Sequence, residues 1–147
     1  MLKELFTSQV RIKLLELFTL NPKGQFYVRE LTRLLEEQIN SVRRELDNLT
    51  KIGFLRSFTK NRRKYFRINP QTKKFSDLKS FILTNSPQLK RFIKECNKHG
   101  SIDLLLFAGA YIQENNPFDL YIVGEIAEEQ LTAIFSQFSF DKYKIQL

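Results

Sequence analysis

Along the first third of the chain, apolar positions recur at the three- and four-residue steps of a helix that buries one face. Val10, Leu14, Leu17 and Phe18 predict a first helix over residues 10–18, and the segment "NPKG" at 21–24 ends it with a proline and a glycine. The β-prone "QFYV" leads into "RELTRLLEE", where Val28, Leu31 and Leu35 make a second apolar face. The third segment is the most regular: Ile39, Val42, Leu46 and Leu49 step by three, four and three residues, and Gly53 stops the helix. The period then changes to two. "FLRSFT", "KNRRK" and "YFRIN" read as strand, turn and strand, with Phe66 and Ile68 on one face and Tyr65 and Arg67 on the other.

The second half returns to helical spacing. Phe75, Leu78, Phe81 and Ile82 form a stripe that serves either packing on the preceding hairpin domain or a dimer contact. Ser86 and Pro87 then make a helix start, with Leu89, Phe92, Ile93 and Cys96 as the apolar face and Gly100 after the end. "SIDLLLFAG" and "FDLYIVG" are continuous apolar runs of the length of buried strands. Ile126, Leu131, Ile134 and Phe135 give one more helix face, and "KYKIQL" a last strand. Only 47 residues follow Gly100, too few to bury a stable core alone, so this part is expected to pack on the connector helices or a partner.

Charge separates the two halves. Residues 1–80 hold 18 Lys and Arg against 8 Asp and Glu, whereas residues 81–147 hold 6 against 8, so the net +8 belongs to the N-terminal part. That asymmetry points to a polyanion-binding module joined to something else, with nucleic acid ahead of an anionic membrane surface. One Cys (Cys96) and one His (His99) supply neither an internal disulfide nor a zinc site, so no metal and no cofactor are expected. Charges at Lys3, Glu4, Arg11, Lys13 and Glu16 interrupt any apolar run at the N-terminus, which predicts a cytoplasmic protein without membrane span or secretory signal.

The polar face of the third helix carries Asn40, Ser41, Arg43, Arg44, Asp47, Asn48 and Lys51. Arg pairs with guanine and Asn with adenine in the major groove, which admits a helix. A solvated amphipathic helix has the same composition. The cluster Lys60, Arg62, Arg63 and Lys64 reads alone as a solvated loop, since like charges at that density repel unless phosphates or solvent screen them, but directly after a polar-faced helix it changes the balance toward a DNA-binding wing.

Over residues 5–70, "VRIKLLELF", "FYVRELTRLLEEQINSVRRELDNLTKIGFLRS" and "RRKYFRINP" resemble a winged helix-turn-helix regulator of the prokaryotic kind. The resemblance implies a sequence-specific double-stranded DNA-binding transcription regulator whose third helix enters the major groove while the wing lies on the phosphate backbone. It also implies a homodimer, since paired half-sites lie about 34 Å apart. The chain departs from the pattern in the turn "EEQIN", which lacks a glycine; a different turn or a longer second helix is therefore expected.

Farther on, "FAGAYIQENNPFDLYIVG" resembles the core of the minimal nucleotidyltransferase fold, a relative of the DNA polymerase beta catalytic domain. That family places Gly-Ser after one strand and Asp-x-Asp at the next, for phosphate contact and for two divalent metal ions. Here Gly109 and Ala110 stand at the first pair, and Pro117 and Asp119 at the second, so a hydroxyl and a carboxylate are missing. Asp141 is a remote candidate for a third ligand. The resemblance implies a degenerate scaffold without catalysis, while an ordinary strand, loop and strand has the same pattern.

The whole reads as α+β: a winged helix-turn-helix domain (1–70), a helical connector (71–100) and a small, truncated nucleotidyltransferase-like α/β domain (101–147). Two alternatives stand beside the regulator. One is an antitoxin-like or nucleotide-sensing module, with a protein partner for its C-terminal domain and autoregulatory DNA binding. The other is an active nucleotidyltransferase. Single-stranded nucleic acid would require an aromatic platform, for which Tyr65 and Phe58 are faint candidates.

Overall fold

A computed structural model describes residues 6–71, 75–108 and 120–138. The chain folds as α+β and divides into two compact units, Met1–Ile82 and Leu83–Leu147. Among the described residues, no helix is long and apolar enough to cross a membrane.

The first unit begins with α1 (Gln9–Leu20), whose start is capped by Ser8 Oγ accepting from the Arg11 N–H at 3.2 Å. Asn21 ends it, its amide Nδ2 donating to the Leu17 carbonyl at 2.8 Å. The single apolar face expected of this helix is too narrow. Ile12, Leu15 and Leu20 are buried as well as Val10, Leu14, Leu17 and Phe18, because α2, α3 and β3 all pack around α1.

Strand β1 (Phe26–Tyr27) runs directly into α2 (Val28–Leu35). The expectation of a different turn or a longer second helix after α2 is corrected here. Glu36 itself adopts the left-handed conformation at φ 53° and ψ 46°. The Glu36 N–H donates to the Arg33 carbonyl and the Glu37 N–H to the Thr32 carbonyl, the pair of bonds that usually closes a helix on glycine. Tertiary contacts hold the turn: Lys13 Nζ reaches from α1 to the Leu35 carbonyl at 2.9 Å and to Glu37 Oε1 at 2.7 Å.

Helix α3 (Ile39–Lys51) buries Val42, Leu46 and Leu49 as the spacing requires, and also Glu45. It ends in the same closure made with glycine, Gly53 at φ 83° donating to Thr50 and Phe54 donating to Leu49. Strands β2 (Leu55–Lys60) and β3 (Arg63–Ile68) form an antiparallel hairpin whose register pairs Leu55 with Ile68 and Lys60 with Arg63. Only Asn61 and Arg62 remain as loop, at φ 49° and 60°, the two positive values of a type I′ turn. β1 joins the other edge of β3, giving a three-stranded sheet in the order β1-β3-β2.

One sheet face supplies Leu55, Phe66 and Ile68 to a core shared with Leu14, Phe18, Leu31, Val42, Leu46 and Leu49. Helix, short strand, two helices and a hairpin that closes the sheet make this unit a winged helix-turn-helix. The stripe Phe75, Leu78, Phe81 and Ile82, on and just before α4 (Ser76–Asn85), packs against or joins the same core. Packing on the wing domain, one of its two expected uses, is seen.

The second unit contains α5 (Pro87–Cys96), started by Ser86 Oγ accepting from the Leu89 N–H at 3.1 Å. Strands β4 (Leu104–Phe107) and β5 (Leu120–Val123) pair antiparallel, and α6 (Glu128–Gln137) follows. Leu89, Phe92 and Cys96 meet Leu120, Ile122, Leu131 and Ile134 in its core, so α5 supplies the support expected of the connector. Gly100 and Gly124 flank the strand pair where the backbones close up. A Cβ on Gly100 would collide with the Glu125 carbonyl, and one on Gly124 with the Ser101 carbonyl. The reading of both strands as wholly buried is corrected: Leu105 and Phe107 of β4 and Leu120 and Ile122 of β5 face the core, but Leu104, Leu106 and Val123 are 46%, 50% and 54% exposed. Among the described residues, the helices cover one face of this sheet only. Residues 139–147, with the expected strand at "KYKIQL", lie outside the described residues.

Candidate nucleic-acid interface

At 3.6 residues per turn, Asn40, Arg44, Asp47 and Lys51 form the ridge of α3 opposite its buried stripe, and all four are exposed. Arg43 lies on one flank of that ridge; Ser41 and Asn48 lie on the other. The flanks face different neighbours. Asp47 approaches Lys64 of β3, with 3.9 Å between Oδ1 and Nζ, so the ridge and the Arg43 flank are turned toward the wing. Both partners are more than half exposed, and the pair contributes at most about 1 kcal/mol. On the other flank, Asn48 Nδ2 lies 3.5 Å from Glu45 Oε2, which occupies its amide weakly on the protein itself.

Glu45 is the anchor of that side. It is 3% exposed and accepts from Arg11 Nε of α1 at 2.8 Å. Burial pushes its pKa up, but hydrogen bonds from Arg11 and Ser8 and the Arg11 charge prevail and hold the carboxyl below its ordinary value. The rigid attachment of α3 to α1 fixes the pitch at which the ridge is presented.

Between α2, α3 and the wing lies a cleft of about 610 Å³, lined by Arg29, Arg33, Arg43, Arg62, Arg63 and Lys64 together with Tyr27 and Val28. Six cations and no carboxylate line it. Arg63 is held in place by the Tyr27 ring, its guanidinium carbon 5.2 Å from the centroid. An anionic strand entering this cleft meets donors that are already oriented, whereas an empty cleft bears the repulsion of its own charges.

The structure thus brings Arg43, Arg62, Arg63 and Lys64 together, adds Asn40, Arg44 and Lys51 on the adjoining ridge, and leaves Ser41 half-buried and Asn48 on the far flank. Lys60 is exposed at the end of β2, paired across the hairpin with Arg63. The reading of the sequence missed Arg29 and Arg33. Their signal was available: they stand four residues apart in "RELTR", on the side of α2 away from Val28, Leu31 and Leu35.

Gly109, Ala110, Pro117 and Asp119, and likewise Asp141, lie outside the described residues. Among the described residues, no group of three or more His, Cys, Asp and Glu side chains gathers where a metal ion would sit. Cys96 is fully buried, and burial followed by the charge of Glu95 pushes its thiol up to about 11; it is a small core side chain.

No protein-family model matches the chain, and no curated protein does. Among solved structures, reduced HlyU from Vibrio cholerae N16961 aligns with 58% of this chain and 85% of its own, at 13% sequence identity and a TM-score of 0.46.

Proposed function

We propose that the chain is a sequence-specific, double-stranded DNA-binding transcription regulator that acts in the cytoplasm and carries no catalytic activity. The observation that carries this reading is the junction of an exposed polar ridge on α3 with a cleft of six cations and no acid. The ridge enters the major groove, where Asn40, Arg43 and Arg44 reach base edges and Lys51 a flanking phosphate. Arg29, Arg33, Arg62, Arg63 and Lys64 hold the sugar-phosphate strand that runs between α2 and the wing, with Lys60 beside them. Ser41 and Asn48 serve the far strand. Phosphate contacts set register and affinity, and the α3 ridge sets sequence.

Selection of bound sequences from a random duplex pool tests this reading. A single recovered motif supports it; a pool that stays random after repeated rounds contradicts it. Paired half-sites about one helical turn apart would report the homodimer.

A second reading is favoured by one observation in the other unit. Leu104, Leu106 and Val123 are 46%, 50% and 54% exposed on one face of the β4–β5 sheet, and clustered exposed apolar residues mark contact sites. In this reading the second unit pairs two chains or receives a protein partner, as in an antitoxin-like module that regulates its own transcription. Sedimentation of the wild type and of Leu106→Lys at micromolar concentration separates self-pairing from a monomer. Incorporation of labelled nucleotide with Mg²⁺, abolished in Asp119→Ala, would overturn the non-catalytic assignment.

A further inference from the structure

The sheet face turned away from the first core is chemically unlike the duplex site. Register places Arg56 opposite Arg67, Phe58 opposite Tyr65, Lys60 opposite Arg63, and Tyr27 opposite Tyr65 on this face. Phe58 and Tyr65 lie nearly parallel, 19° between planes and 5.7 Å between centroids, and Tyr27 meets Tyr65 edge-on at 5.6 Å. The three rings are only half-buried and form a strip across all three strands. Cations border it at both ends: Arg67 packs on Phe58 at 5.4 Å, and Arg63 on Tyr27 at 5.2 Å.

Two physical costs on this face call for an anionic partner. Like charges directly opposite each other destabilise a strand pair, yet this face repeats that arrangement at Arg56–Arg67 and Lys60–Arg63 with no carboxylate among its strand residues. Arg67 Nε is also buried without a hydrogen-bond partner among the described residues, an unmet demand that a ligand oxyanion would relieve after a small side-chain shift. A second copy of the chain would bring the same cations against each other. The combination of a sequence-tolerant aromatic strip and flanking Arg and Lys suits unpaired bases with their phosphates.

We propose that this outer wing face binds an unpaired DNA strand continuing from the duplex. Continuity is on the structure: Tyr27 and Arg63 line the cleft and also belong to the strip. The placement rests on the duplex-binding reading above, but the aromatic contact itself does not.

Fluorescence anisotropy on the full chain tests the proposal, comparing the selected duplex with blunt ends and with a tail of roughly eight unpaired thymidines, a length within the span of known single-strand sites. The tail tightens binding by about tenfold, a modest figure for one or two stacked bases, and part of this gain survives raised salt, because stacking releases no counterions whereas the tail's phosphate contacts do. The double variant Phe58→Leu/Tyr65→Leu, whose fold is checked by circular dichroism, loses the gain and keeps blunt-duplex affinity. Tyr65→Phe retains the gain, and Arg56→Gln, at an exposed position, reduces it without touching the rings. No gain from the tail overturns the proposal. So does a gain that persists in the leucine variant, that vanishes with salt, or that polyglutamate abolishes as well as free oligothymidylate does. A dimer that falls to monomer in the leucine variant also overturns it, since a second copy would then be the occupant. If blunt duplex fails to bind while oligothymidylate binds wild type and not the leucine variant, the duplex reading falls and the strip stands.

Discussion

Arg62 occupies a position where its charge and its backbone pull in opposite directions. At φ 60° it is the second residue of a two-residue type I′ loop, the place where hairpins favour glycine. An L-residue held left-handed costs about 1–2 kcal/mol. Replacing it with glycine removes that cost but adds about 0.5–1 kcal/mol of chain entropy in the unfolded state, so Arg62→Gly should stabilise the first unit by about 0.5–1 kcal/mol. Loss of one charge beside Lys60, Arg63 and Lys64 adds to the gain at low salt. The same substitution removes a phosphate contact, and the slope of log K against log salt should fall by about 0.9.

The control is Arg62→Ala, which loses the charge but keeps a Cβ at positive φ. It should bind DNA as weakly as the glycine variant and, at salt high enough to screen the charge effect, be no more stable than wild type. Urea unfolding followed by circular dichroism measures the change; with m near 1–3 kcal/mol/M, the expected stabilisation moves the midpoint by a few tenths of a molar unit. Hydrogen exchange of the β2–β3 amides assigns it to the wing rather than to the second unit. Two results would refute the reasoning: alanine stabilising as much as glycine, or glycine leaving DNA affinity and salt slope unchanged.

Glu36→Gly follows the same backbone argument outside the interface, and should raise stability by about 0.5–1 kcal/mol with duplex affinity unaltered, as read by paired denaturation and anisotropy. Glu45→Gln should cost about 1–3 kcal/mol, because Arg11 loses a charged acceptor but is 36% exposed and regains water. Since the folded pKa of Glu45 lies below the ordinary 4.5, the stability it contributes is complete above that value and disappears as pH falls through the lower, folded one. Unfolding midpoints between neutral and acid pH should therefore converge for wild type and Glu45→Gln. Cys96, buried with its thiol at about 11, should react with a thiol reagent only as fast as the second unit opens; labelling at the rate of a free thiol in native buffer would contradict its place in the core.

Much of the first unit was legible because its core obeys simple periods. The steps from Ile39 to Leu49 located α3 within its observed bounds, and the alternation through Phe66 and Ile68 identified the inner sheet face. What escaped was decided by tertiary contact. A glutamate stands in the left-handed turn at position 36 while Lys13 of α1 holds the neighbouring carbonyl, information that local propensity does not contain. Glu45 read as part of a polar helix, yet Arg11, 34 residues away, allows its burial. The cleft was half visible: the wing cations form a run in sequence, whereas Arg29 and Arg33 join them only because α2 folds beside the hairpin. The pairing of Arg56 with Arg67 depends on the two-residue loop, since one residue more would shift every partner. In β4, a continuous apolar run concealed an exposed face, because periodicity cannot tell a strand covered on both sides from one covered on one.

The most direct test of the central claim is the salt dependence of binding to the selected duplex, measured for wild type and for Arg43→Ala, whose side chain joins the α3 ridge to the cationic cleft. The account predicts a steep linear fall of log K with log salt, with a slope of about −4.5 to −5.4 for five or six neutralised phosphates, and a clear loss of affinity in the variant. A flat salt dependence, or an Arg43→Ala protein that binds as wild type does, would contradict it.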